Sequence, residues 1–283
     1  MSGEANQRVN NGRRFREDVP YLLPKDLGED ERLNLQHYVF RSVLKGNYVV
    51  PLSERVTHIL DVGSGSGIWG REVALEFPSA SVFGLDLEPP RAVSSSATVP
   101  PSPPNYHFVQ GNVLQGLPFP DDTFDFTHQR MLSGAIPTRD WPRVLQELAR
   151  VTRPEGWVEL LEVGNTLVNA GPATELLLKW VQDLCLSRGM DMSKIEEIGM
   201  LLTQAGLKQV VQHPIDIPIG AWDTQVGIRL EKNFLAAYKA IKPAICKLFL
   251  VDPAEFDATI DALPAEWEEY HTAHHFCLAY GQV

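Results

Sequence analysis

The chain has 283 residues, 25 Lys and Arg against 36 Asp and Glu for a formal net charge of −11, 44% hydrophobic residues and three cysteines. That apolar fraction is ample for a buried core at this length, which excludes a wholly disordered chain; the acidic balance argues against a nucleic-acid partner, since such binding draws its affinity from Lys and Arg replacing condensed counterions. Cys185, Cys246 and Cys277 lie far apart with no C-x-x-C spacing, so they signal neither a disulfide framework nor a thiolate metal site and read as buried thiols of a reducing compartment.

The first twenty residues carry Arg8, Arg13, Arg14 and Arg16 among polar neighbours and lack the apolar stretch of a secretory signal. They read as a mobile arm, with a nuclear address as the alternative, and the expected location is cytoplasmic. No run of about 18 apolar residues exists, so no membrane partner is expected. Leu33, Val39, Phe40, Val43 and Leu44 recur at helical spacing and stop at Gly46, which predicts a helix over 29–45. A β-branched run over 57–62 enters Gly63-Ser64-Gly65-Ser66-Gly67 and then a helix through about Phe77; a second strand over 81–85 ends in Asp86. Six prolines and the Ser94-Ser95-Ser96 cluster between Pro89 and Pro104 make that stretch a loop.

Strand patterns return over 106–110 and 123–128, followed by a helix over 141–151, a turn at 153–156 and a strand over 157–162. This alternation predicts an α/β, doubly wound, mostly parallel sheet covered on both faces. Beyond Gly164 the pattern is helical over 173–187 and 193–205, strand-like over 207–212, helical over 223–271 with Pro243, Pro253 and Pro264 as punctuation, and strand-like over 276–280, a segment read as returning to the sheet edge. The organisation expected is an arm over 1–20 and a single domain over 21–283, its cofactor-binding core at about 55–165 and a helical lid at about 220–271.

Glycines in a strand-to-helix turn accept positive φ and leave no Cβ between backbone and ligand. Asp86 ends the next strand 19 residues past Gly67, where a carboxylate accepts from a ribose diol. The dinucleotide fingerprint started at Gly63 fails, because Ile68 stands where its last glycine or alanine belongs and Trp69 follows. The G-x-G-x-G spacing behind an acidic strand residue is instead similar to the first motif of class I S-adenosylmethionine-dependent methyltransferases. The block from Tyr21 to Pro24, the run from Arg32 to His37, Gly67-Ile68-Trp69, the stretch from Phe124 to Leu132 and the stretch from Arg153 to Glu159 resemble the fungal-type family related to trans-aconitate methyltransferase, which includes the secondary-metabolism regulator methyltransferases.

That resemblance covers roughly residues 20–165 and implies a Rossmann-like, seven-stranded sheet. It also implies S-adenosyl-L-methionine as cofactor, with Gly63, Ser64 and Gly65 along its methionine part, Asp86 on the ribose and Leu87 packed on the adenine. Asn112 and Val113 are placed near the adenine amino group, with asparagine departing from the common aspartate; Gln129 is placed at the methionine moiety, and Asp61 orders the glycine turn and reaches the ammonium group. For Asn112 the alternative is a turn residue satisfying its own backbone.

The function expected is transfer of a methyl group to a small organic acceptor, by O-methylation in secondary metabolism. A non-catalytic regulator and an enzyme of a non-methylating rearrangement are the alternatives. A base is needed only for a poorly acidic acceptor. The candidates are His128, beside the cofactor, and His37, whose place between Leu33 and Phe40 also suits a core histidine. Glu162 either faces the acceptor or caps the sheet. His271, His274 and His275 lack a companion Cys/Asp/Glu pattern and read as surface or helix-face residues, so no metal is expected. Trp222, Phe234, Tyr238, Phe249, Phe256 and Trp267 suit either an apolar substrate lid or, with greater weight, a helical core.

Overall fold

The computed structural model describes residues 7–10, 12–16, 18–90 and 101–283, so most of the proline-rich loop expected over 89–104 lies outside the described residues. Strands β1 (Gln7–Asn10) and β2 (Arg13–Arg16) form a two-stranded antiparallel ribbon within the segment expected as a mobile arm. Its arginines face carboxylates: Arg13 Nη2 donates to Asp26 Oδ1 at 2.9 Å, Arg16 Nε donates to Asp18 Oδ1 at 2.9 Å, and Arg14 pairs with Glu88.

Helix α1 (Leu27–Leu44) starts at Asp26, whose side chain accepts from the Glu29 amide, and ends at Lys45 in the left-handed region, φ 58°. Then follow β3 (His58–Val62), α2 (Ile68–Glu76), β4 (Ser81–Asp86), β5 (Tyr106–Gln110), β6 (Phe124–Arg130), α3 (Trp141–Val151) and β7 (Thr152–Val168). The chain continues through α4 (Pro172–Ser187), α5 (Ile198–Gln204), β8 (Lys208–Pro218), α6 (Gln225–Phe249), α7 (Pro253–Tyr270) and β9 (Ala273–Gln282). The helix expected over 193–205 is divided: Met192–Glu197 is a 3₁₀ turn leading into α5. Pro253 sits in the first turn of α7, where a missing N–H costs nothing, while Pro243 and Pro264 lie inside α6 and α7.

Seven strands form the main sheet in the order β5-β4-β3-β6-β7-β9-β8, with β9 antiparallel to both neighbours and the other pairs parallel. Strand order reverses between β3 and β6, the point at which the carboxyl ends of parallel strands part and open a crevice. One expectation is corrected: β9 is an interior strand and β8 is the edge, because β7 carries ladder partners out to Val168 and β9 fills the slot beside it. The turn expected at 153–156 is a bulge inside β7, where Phe124 and Phe126 of β6 pair with Thr152 and Trp157.

Two buried clusters sandwich the sheet around Leu60, Phe124 and Leu145 on one side and Ile59, Trp69 and Phe126 on the other. A third, built from Phe40, Trp180, Phe256, Trp267 and Phe276, gives the added helices their own core. Burial of Phe256 and Trp267 in it decides for the core reading at those two positions.

Candidate active site

The turn after β3 is held to β4 by two bonds: the Gly63 and Ser64 amides donate to Leu85 O at 2.8 and 3.0 Å. Gly63 and Gly65 take φ of 73° and 54°, which a side chain resists. A Cβ on Gly63 would stand 2.7 Å from Leu132, and one on Gly65 would stand 2.9 Å from Leu33. Gly67 has another task. Together with Gly70 and Gly84 it forms a seat for the Tyr106 ring, which would meet added Cβ atoms at 2.7, 2.5 and 2.3 Å.

Asp86 ends β4 against this turn. Its Oδ2 accepts from the Gly65 amide at 2.8 Å, and its Oδ1 accepts from the Leu87 amide and from Lys25 Nζ, each at 2.7 Å. Asp61, Gly63, Ser64, Gly65, Asp86, Leu87, Asn112 and Val113 all line one cavity of about 240 Å³. Asn112 caps the short 3₁₀ turn behind it, its Oδ1 accepting from the Leu114 amide at 3.0 Å, so the turn role is filled at a position that also borders the cavity.

Gln129 does not join them. The pairing of Asp61 with His128 in the β3–β6 ladder puts His128 on the cavity face, and strand alternation turns Gln129 the other way. Gln129 is fully buried, and its Nε2 donates to Glu162 Oε1 at 3.0 Å. Glu162 also accepts from the Ser133 amide at 2.8 Å, so it fastens the loop after β6 rather than facing the cavity, and burial pushes its carboxyl up to about 7.

On the cavity face, His128 Nδ1 donates to Asp61 Oδ1 at 2.9 Å and the ring lies flat on Trp69, centroids 3.9 Å apart and planes at 4°. Burial holds the imidazole below its ordinary pKa, so it is neutral at pH 7. With Nδ1 carrying the proton, Nε2 keeps its lone pair, and among the described residues it has no hydrogen-bond partner. His37 differs: Nε2 donates to Glu72 Oε2 at 3.0 Å, Nδ1 accepts from Arg130 Nη2 at 3.3 Å, and the side chain is outside the cavity lining. Both its nitrogens are occupied, which leaves His37 no place as a base.

The three C-terminal histidines separate. His271 caps α7 and stacks on Trp222, while His275 pairs with Asp216 and Glu196. His274, read as a surface or helix-face residue, is instead 2% exposed on a strand and stacked on Phe234 at 4.2 Å, because it points inward from the interior strand β9.

Residues 59–156 match the protein family described as "Methyltransferase domain". Among curated relatives, "Methyltransferase pytC" of Aspergillus terreus is 28% identical over 240 residues, 80% of this chain and 70% of that protein. "N-methyltransferase sirN" of Leptosphaeria maculans is 28% identical over 266 residues, 89% of this chain and 90% of that one. "Secondary metabolism regulator LAE1" of Pyricularia oryzae is 27% identical over 278 residues, 92% and 83%. A solved phosphoethanolamine N-methyltransferase of Haemonchus contortus aligns at TM-score 0.49 and 14% identity, over 88% of this chain and 57% of that one. Residues 59–156 thus match a methyltransferase domain, the part of the chain for which S-adenosylmethionine is the expected cofactor.

The cavity suits that cofactor on its own evidence. Gly63 and Gly65 bring bare backbone to the cavity wall at positive φ, the second oxygen of Asp61 makes no hydrogen bond to a described residue and suits an ammonium group, and Asp86 presents a carboxylate at the end of β4. Beyond the expected cofactor end, the cavity runs between apolar side chains of β7, α4 and α6, among them Val163, Val181, Phe234 and Ile241. Arg32 Nη1 donates to Asn233 Oδ1 at 2.7 Å and so fastens α1 to α6 over it. Sequence reasoning missed Lys25, Trp69 and Arg130 as wall residues. The signal for Trp69 and Arg130 was period: Trp69 opens the helix after the glycine turn, and Arg130 lies two residues past His128 on the same strand face.

Proposed function

We propose that this methyltransferase moves a methyl group to an oxygen of a small, largely apolar acceptor of secondary metabolism, with His128 taking the acceptor's proton. The observation that carries the reading is the Asp61–His128 pair: a neutral imidazole oriented by a carboxylate, its Nε2 unpartnered among the described residues, in the wall of the cofactor cavity.

When bound, S-adenosylmethionine supplies a sulfonium methyl that is already electrophilic. The protein's work is therefore to align, deprotonate and exclude water. Asp86 and the glycine turn fix the nucleoside end, while Val163, Val181, Met192, Phe234 and Ile241 form an apolar wall for the acceptor body. With the cofactor bound, the proton released by the acceptor hydroxyl would pass to His128 Nε2, and Asp61 would hold the resulting imidazolium. No helix among the described residues is long and apolar enough to cross a membrane, and a small organic acceptor fits the enclosed wall better than a polymer does.

S-adenosylhomocysteine release measured against a panel of phenols, carboxylic acids and amines tests this. Turnover of hydroxyl acceptors, reduced in His128→Phe, supports it; turnover of amines alone overturns the choice of oxygen, an outcome the name of the sirN relative keeps in view. Similarity to a LAE1 regulator along 92% of the chain supports a second reading, action through a protein partner, which cofactor binding with a stable partner and no turnover would favour.

A further inference from the structure

Arg130 is the charged group of the cavity wall that this chemistry leaves unused. It ends β6 and lines the cavity, yet its one side-chain hydrogen bond among the described residues is the 3.3 Å contact of Nη2 with His37 Nδ1. No described carboxylate comes within ion-pair distance of it, whereas the buried Arg32 is matched, holding Glu29 by two bonds of 2.9 and 2.7 Å. The guanidinium carbon lies 5.3 Å from the centre of the Phe40 ring, a contact that does not neutralise its charge. Asp61, Glu72, Glu159 and Glu162 surround it at longer range. Asp61 faces His128, Glu72 faces His37 and Arg41, Glu159 accepts from the Val49 and Val50 amides, and Glu162 holds Gln129 and Ser133.

A cation half-buried in a cavity wall without a counter-ion is costly, and a carboxylate brought by a ligand would supply the missing charge. Burial pulls the Arg130 pKa down only to about 10, so the group stays charged at neutral pH. A guanidinium presents paired N–H donors that match a carboxylate with two parallel bonds. The site also has its sign pattern. In the β3–β6 ladder Asp61 pairs with His128, so Arg130 lies two residues further along the same strand face, beside the glycine turn, and its ring neighbour Phe40 belongs to the cluster that includes Phe234 and Tyr238 of the acceptor wall.

We propose that Arg130 is the carboxylate-binding residue of this cavity, pairing with an acid group brought in by a ligand. Two ligands can bring it: the methionine end of the cofactor or the acceptor. The inference rests on the methyltransferase reading but fails separately from it, because its readout is selectivity between ligands and not activity.

The test compares wild type with Arg130→Met by calorimetric titration. In the first arm the ligands are S-adenosylhomocysteine and its decarboxylated analogue, which keeps the ammonium. If the acid group is the cofactor's, wild type binds the analogue at least tenfold more weakly and the variant binds the two alike. In the second arm protein loaded with S-adenosylhomocysteine is titrated with 4-hydroxybenzoate and 4-hydroxybenzamide. If the acid group is the acceptor's, wild type prefers the acid at least tenfold and the variant loses the preference. Should Arg130→Met fail to fold, Arg130→Lys, which keeps the charge and loses the fork, takes its place and is expected to retain only part of the preference. Wild type that fails to discriminate in both arms, or a folded Arg130→Met that keeps the wild-type preference, overturns the assignment.

Discussion

Lys25 Nζ donates to Asp86 Oδ1 at 2.7 Å, on the carboxylate whose other oxygen accepts from the Gly65 amide at 2.8 Å. With the Leu87 amide also on Oδ1, that oxygen is filled and a ribose diol needs Lys25 to withdraw. Two opposite outcomes follow. Lys25→Met should tighten S-adenosylhomocysteine binding two- to fivefold, about the worth of a partly exposed ion pair. Asp86→Ala should weaken it by roughly 1 to 3 kcal/mol. Titration checks both, and equal shifts in the same direction would remove the competition.

His128 carries the proposed proton transfer. Replacing it by Phe keeps a ring to stack on Trp69 and should lower kcat for hydroxyl acceptors by about 10²- to 10⁴-fold. Affinity for S-adenosylhomocysteine should stay within about threefold. Because burial depresses the imidazole pKa, wild-type kcat should fall only below the ordinary histidine range as the pH is lowered. A His128→Phe rate equal to wild type would contradict the role.

Tyr106 rests in a seat of three glycines. A methyl group added at Gly84 would stand 2.3 Å from its hydroxyl and 3.0 Å from Ser64 Cβ, so Gly84→Ala should cost about 1 to 3 kcal/mol by overpacking. The double variant with Tyr106→Leu should recover part of that cost. Denaturant unfolding reads both, and additive losses would show that the ring is not what the methyl group meets.

His274 stacks on Phe234 inside the core, and burial pushes its pKa down to about 3 from the ordinary 6.5. The unfolded chain therefore binds this proton at a pH where the fold does not, and the stability His274 contributes is complete above about 6.5 and lost as pH falls toward 3. His274→Phe should remove that loss. Relative to the variant, wild type should weaken by roughly 1.4 kcal/mol for each pH unit across the window. Parallel stability profiles for the two proteins would sink the idea.

How much of this was legible beforehand follows from the range of the forces involved. The glycine turn and Asp86 depend on local requirements, positive φ and the length of one strand-helix-strand unit, and the sequence states both. Gln129 was misplaced because its direction depends on the register between β3 and β6, which no local pattern records. The interior position of β9 has the same cause: an apolar strand of ten residues suits an edge or a slot, and its partners β7 and β8 decide. Arg130 and Lys25 escaped notice because a charged side chain in a wall is visible only once its neighbours are known. His37, by contrast, was already weighed as a core histidine from its place on the apolar stripe of α1, and its two occupied nitrogens agree with that reading.

The central claim is that Gly63, Gly65 and Asp86 form a cofactor site, and calorimetric titration of the full chain with S-adenosylhomocysteine tests it most directly. The account predicts saturable binding at one site per chain, weakened in Asp86→Ala; absence of binding at millimolar ligand would contradict it.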